Sequence, residues 1–315
     1  MKVIQLSDRP ATQAFYSIAG LLLCIESFNT ELRNLIVDLF AGWQLEPVAL
    51  PDRPPDIQIN FSCGDAPQEI PRDLEQFEIA EGGKCYTRGA ELYLELGGPV
   101  VHLVNDSSVS VSFTELPRVG DPLVGRATSF AVCAALRRYG LFDLHSGGIV
   151  EPESGRGVLI IGPSGSGKST LVLRLVQDGW WYLSDDELLL SLAGGVVEAR
   201  GFRSFFAVSE TGAAFKHCFE PETRPTERAS PRLLLFIRLN GESRSELSRL
   251  TQSETMMRLI RACPWATYDR SIAGANLELL STLARQASGF DLSAGSDLLE
   301  PGSAASLVKT ALTSS

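Results

Sequence analysis

The chain has 315 residues, 44% apolar and 21% charged, the make-up of a globular protein long enough for two domains. A net charge of −10 argues against nonspecific binding to nucleic acid or to an anionic membrane, since both need a basic surface. Six cysteines without a C-x-x-C pair, three histidines, an apolar run at 21–25 too short to span a bilayer, and an N-terminus without secretion-signal order predict a protein of the reducing cytoplasm.

To about residue 125, strand-like runs alternate with breaks rich in proline and glycine. Residues 15–22 predict a strand or hairpin. The spacing of Leu32, Leu35, Ile36 and Leu39 predicts a helix over 32–43, and prolines break 47–55 into a connector. Residues 57–61 alternate as a half-buried strand, 85–88 and 92–96 flank Gly89 as a hairpin, and 100–104 and 109–113 are two more strands. Nothing here carries recognisable chemistry, so 1–125 is expected to be a smaller α+β domain with a recognition or assembly role. Asp121-Pro122-Leu123 reads as a boundary, and 126–139 as a helix closed by Gly140.

From Leu141 the pattern becomes strand, turn, strand, then Gly162-Pro163-Ser164-Gly165-Ser166-Gly167-Lys168-Ser169-Thr170. This fits G-x-x-x-x-G-K-[ST], the phosphate-binding P-loop, with a buried strand before it (158–161) and a helix after it (171–176). Glycines let backbone N–H groups close around phosphate oxygens, and the helix start adds free donors and the positive end of a dipole. Gly162, Ser164, Gly165, Ser166, Gly167, Lys168, Ser169 and Thr170 are therefore the candidate nucleotide-binding residues. Lys168 can neutralise the phosphates and Ser169 can hold Mg²⁺. A plain glycine-serine turn would share the composition; the flanking strand and helix decide against it.

Downstream, 181–184 is a strand ending in Asp185 and Asp186. A parallel sheet delivers strand ends to the edge where the phosphates lie. One acid there can hold Mg²⁺, and the other can take the proton of an attacking hydroxyl. Residues 220–231, rich in Pro, Thr, Arg and Glu, predict a mobile loop, 233–239 a strand, and 253–263, 272–286 and 304–312 helices. No internal repeat is present.

The order of these elements resembles the catalytic domain of HPr kinase/phosphorylase and its kinase-like relatives, which share a core with phosphoenolpyruvate carboxykinases. The elements are a strand bearing His145, a turn over 151–157, the P-loop, the pair Asp185-Asp186 with Ser184 in place of the usual Ala, and Glu198-Ala199-Arg200-Gly201. The resemblance covers about 126–315 and is strongest over 141–201. It implies an α/β fold with a P-loop kinase core over 126–315. It implies Asp185 as general base, Asp186 and Ser169 on the metal, Glu198 as a further acid near the metal, and His145 near the reacting phosphoryl group. Departures are a longer 151–157 turn, a different P-loop wording, and no basic Arg-Asn loop near 239–249, where Arg238, Arg244 and Arg249 are the available cations. That loop belongs to phosphorolysis and to recognition of the HPr protein. The front half is similar to that of HPr-kinase-related proteins beside peptide-modification genes, including serine kinases of lasso-type peptides.

The expectation is a kinase dependent on ATP and Mg²⁺, with Lys168, Asp185 and His145 catalytic and the Ser hydroxyl of a peptide or protein as acceptor. A homo-oligomer is compatible with the sequence. A small-molecule kinase or carboxykinase-like enzyme and a non-catalytic nucleotide-binding regulatory module remain alternatives.

Overall fold

The computed structural model describes residues 12–49, 51–64, 69–79, 83–204, 206–209, 216–219 and 227–314. It is a mixed α/β chain with several sheets. It divides into two compact units, residues 1–139 with 268–272, and residues 140–267 with 273–315. Among the described residues no helix is long and apolar enough to cross a membrane.

The first unit starts with β1 (Thr12–Ile18) and β2 (Leu21–Ser27), a hairpin whose turn places Ala19 and Gly20 at positive φ. Then come α1 (Thr30–Phe40), β3 (Glu46–Val48), β4 (Ile57–Cys63), β5 (Glu75–Ile79), β6 (Gly83–Arg88), β7 (Glu91–Glu95), β8 (Val100–Asn105), β9 (Ser108–Phe113) and α2 (Pro122–Arg138). The nine strands form one sheet in the order β3-β1-β2-β4-β9-β8-β7-β6-β5. Helix α1 is capped by the Asn29 side chain and buries Leu32, Ile36 and Phe40 against β2 and β4; α2 packs on β8 and β9. The side chains opposite this core are polar and aromatic: Gln76, Tyr86, Tyr93, His102, Ser110, Asn60, Glu26 and Gln13 sit in register across eight strands.

Helix α2 starts four residues before the helix expected over 126–139. The Asp121 side chain accepts from the Leu123 amide and Pro122 fills the first turn, so the expected boundary tripeptide is the start of this helix. The segment 268–272 completes the unit. Asp269, 2% exposed, pairs with Arg138 at 2.9 Å and accepts from the Ser271 hydroxyl at 2.6 Å. Arg270 reaches both carboxylate oxygens of Glu75 at 2.9 Å, and Tyr268 lies 5.3 Å from Phe77, ring to ring.

The second unit contains β10 (Phe142–Leu144), β11 (Ser146–Val150), β12 (Gly157–Ile161), α3 (Lys168–Gln177), β13 (Trp181–Ser184), β14 (Leu188–Ala193), β15 (Val196–Gly201), β16 (Phe206–Ser209) and β17 (Lys216–Phe219). It continues with β18 (Arg228–Ala229), β19 (Pro231–Leu239), β20 (Glu246–Arg249), α4 (Gln252–Ala262), α5 (Trp265–Tyr268, its last residue counted with the first unit), α6 (Ala273–Gln286), β21 (Ser288–Ala294) and α7 (Ser303–Thr313). Its main sheet runs β13-β11-β12-β19-β21-β20, with β12, β19 and β21 parallel. Strand alternation splits the core: Leu233, Leu235 and Ile237 join the cluster under α3 and α7, and Phe236 on the opposite side meets Arg258 of α4. A second sheet, β10-β14-β15-β18, is antiparallel throughout.

The expected loop over 220–231 lies outside the described residues at 220–226. Beyond them, β18 is a short strand and Pro231 already opens β19, which corrects the expectation there.

Candidate functional site

Strand β12 is buried at every residue, and α3 begins at Lys168. The chain between them turns back on itself through two glycines that no other residue could replace without strain. A Cβ on Gly162 would sit 2.6 Å from the Ile237 carbonyl oxygen, and Gly167 has φ +95° as it starts α3. Gly167 has no side chain to cap the helix, so the first-turn amides have no partner within it. Ser166 is 7% exposed, and its hydroxyl meets no hydrogen-bond partner among the described residues. The loop, exposed at 163–165 and anchored by buried Ser166 and Lys168, is thus a nest of donors suited to an anion.

Lys168 is 6% exposed, and its Nζ donates to the carbonyls of Gly162 at 2.8 Å and Pro163 at 3.1 Å. It also lies 3.0 Å from His145 Nε2. An ammonium can only donate, so His145 Nε2 accepts. Its Nδ1, 3.3 Å from Asp186 Oδ1, then carries the proton and donates to that carboxylate. Lys168, His145 and Asp186 form one chain, with His145 and Asp186 about half exposed.

The turn that carries the acidic pair is braced from behind. The Ser184 hydroxyl donates to the Glu187 carbonyl at 2.7 Å and accepts from the Arg203 amide at 3.2 Å, and Arg203 pairs with Glu187 at 3.2 Å. This bracing turns the two acids differently: Asp185 is 1% exposed, while Asp186 opens onto a cavity of about 890 Å³.

That cavity lies at the carboxyl ends of β12, β19 and β21, the edge where an open parallel sheet binds ligands. His145, Ser164, Gly165, Gly167, Lys168, Ser169, Thr170 and Asp186 line it, so the structure brings together most of the residues expected from sequence. Gly162 and Ser166 sit within the loop behind its surface.

Two expected site residues stand apart. Asp185 does not line the cavity, and neither does Glu198, which sits on β15 and pairs with Arg228 at 3.4 Å. Arg200, next to it in the motif, pairs with Glu227 at 3.3 Å. Of the three cations considered near 239–249, Arg238 lies 3.8 Å from Asp291, Arg249 donates to the Ser314 carbonyl at 2.7 Å, and Arg244 offers its own carbonyl to Asn240; none lines the cavity.

Sequence reasoning missed the opposite wall: Ile237, Leu239, residues 241–243, residues 294–296, Leu298 and Leu299, together with Arg174 of α3. The signal for them was the rule that loops after neighbouring parallel strands share one edge, which needed β21 to be recognised as a strand.

The donor set suits both groups that the sequence suggests. Ser169 and Asp186 are hard oxygen donors on one wall, as Mg²⁺ prefers, and the glycine loop with its orphaned Ser166 hydroxyl suits phosphate oxygens.

No family model matches the chain, and no curated protein matches it. Among solved structures it has a weak likeness to the Hpr(Ser) kinase/phosphatase from Coxiella burnetii, at 18% identity and a TM-score of 0.25. The match covers 31% of this chain and 65% of that one, so the chain spans less than two thirds of its length.

Proposed function

We propose that this chain is a phosphotransferase that binds ATP with Mg²⁺ and passes the γ-phosphoryl group to a hydroxyl, most simply a Ser of a peptide or protein. The observation that carries this reading is the Lys168–His145–Asp186 chain on the wall of one cavity with the uncapped start of α3. In it the loop amides and Lys168 hold the phosphates, and Ser169 and Asp186 hold the metal. The bound metal ion supplies charge neutralisation of the transferred group. His145 holds Lys168 and Asp186 in a fixed relation, accepting from one and donating to the other. Glu198, committed to Arg228, takes no part. The base role expected of Asp185 requires its buried carboxylate to turn outward on binding; catalytic hydrogen bonds often tighten only in the complex.

The burial of Asp185 also favours a second reading, a nucleotide-binding regulatory module without transfer. The test is single-turnover transfer from γ-labelled ATP to Ser-containing peptides, run beside ATP turnover without acceptor. Label on a Ser hydroxyl supports the kinase. Tight Mg·ATP binding with no transfer to any acceptor and no turnover supports the module. Calorimetry that shows Lys168→Ala binding Mg·ATP as tightly as the unaltered protein overturns both.

A further inference from the structure

We propose that the wall formed by Leu239, Leu298 and Leu299 is a purine-base subsite, so that the cavity takes a whole nucleotide and not merely its phosphates. This rests on the nucleotide reading above and adds residues to it. Leu239 is 62% exposed and Leu299 47% exposed, both large apolar side chains left in solvent, and both line the cavity. Leu298, 6% exposed, and Ile237, 3% exposed, continue the same wall into the core. The apolar surface begins at the glycine loop itself: Leu239 Cδ2 lies 3.1 Å from where a Cβ on Gly167 would stand. Phosphates seated on the loop therefore leave the rest of their molecule facing leucines.

The wall is built to hold its shape. The Glu242 and Ser243 carbonyls accept from the Ser296 and Asp297 amides at 3.0 and 3.1 Å. The Ser245 amide and hydroxyl donate to the Asp297 carboxylate at 3.0 and 2.5 Å, and the Ser245 hydroxyl accepts from the Gly295 amide at 2.9 Å. These bonds tie the loop after β19 to the loop after β21. A pre-formed slot of this kind binds without the cost of ordering its walls. A cavity of about 890 Å³ has room well beyond a triphosphate, and a flat ring with two apolar faces is the ligand part that suits a leucine wall.

The experiment compares Mg·ATP with Mg·tripolyphosphate by calorimetry on the full chain, unaltered and as the double variant L239S/L299S. Both positions are substantially exposed, so the variant should melt at the unaltered temperature. The unaltered protein should bind ATP at least about tenfold more tightly than tripolyphosphate, and the variant should lose about tenfold for ATP and less than about twofold for tripolyphosphate. Equal affinity for the two ligands in the unaltered protein overturns the subsite and leaves the phosphate reading standing; an apolar acceptor side chain is then the better occupant. An equal loss for both ligands in the variant also overturns it. If neither ligand binds the unaltered protein, the nucleotide reading itself falls.

Discussion

The buried ion pair of the first unit and the glycine-loop cluster of the second use charge in opposite ways. In the first, charged side chains close on one another: Arg138 on Asp269, Arg270 on Glu75, Arg88 on Asp73 and Glu91. In the second, around the glycine loop, Lys168, His145 and Asp186 are strung along the wall of a cavity that all three line. A buried pair such as Arg138–Asp269 sets stability, and charges on the cavity wall are the ones proposed to set affinity and rate. The same Lys or Asp reads identically in sequence; what separates them is whether the fold buries their partners with them or leaves them on the wall of a cavity.

Substitutions should split along this line. The largest effect is expected from Asp269→Ala. It leaves Arg138, whose side chain is 4% exposed, with only the exposed Asp106 carboxylate at 3.6 Å among the described residues, and should cost about 3–5 kcal/mol of stability in denaturant unfolding. Mg·ATP affinity at low temperature should stay within about twofold; a larger change there breaks the comparison. Next comes Asp186→Asn, expected to slow single-turnover transfer by about 10²-fold, with partial recovery as Mg²⁺ or Mn²⁺ is raised. The companion Asp185→Asn sharpens the picture: a loss that metal does not recover marks Asp185 as the base, and no loss marks it as structural.

Lys168→Ala should weaken Mg·ATP binding at least about tenfold, or about 1.4 kcal/mol, with little change in melting temperature. The smallest effect concerns Asp297. Hydrogen bonds from the Ser245 hydroxyl and amide hold its carboxyl below the ordinary value of 3.8. A carboxyl depressed in the folded state stabilises fully above its unfolded value, about 3.9, and that stability fades as pH falls through the folded value. Melting curves of the unaltered protein and Asp297→Asn should therefore differ at pH 7 and converge on acidification below about 3.9. A difference that persists unchanged at the lowest pH assigns the effect to packing.

The motif-bearing side of the site was legible because its signals are local. Gly162 to Thr170 and Asp185-Asp186 sit beside the strands and helices that position them. The unread parts depend on distant partners. Strand β21, Ser-Gly-Phe-Asp-Leu-Ser-Ala, lacks the apolar run expected of an interior parallel strand, because Asp291 is accommodated there by Arg258 at 2.9 Å, 33 residues earlier. Without β21, the leucine wall of the cavity could not be placed. Glu198 shows the reverse situation: it belongs to a plausible motif, yet it lies off the cavity and Arg228, 30 residues on, pairs with its carboxylate. Asp121-Pro122 carries the signature of a helix cap and first-turn proline, but the same pair also marks domain boundaries, so sequence alone does not separate the two.

The buried pair of Arg138 and Asp269 also sets an order of events during synthesis. Its members are 131 residues apart. At about 5–20 residues per second, the ribosome delivers Asp269 about 7 to 26 seconds after Arg138. The nine strands and two helices of the first unit are all made by then, but the unit lacks its last five residues. The nascent unit must wait with an arginine in a pocket built for a pair. A synthesis-coupled folding assay should see its final gain in protease resistance only after residue 272 has cleared the exit tunnel.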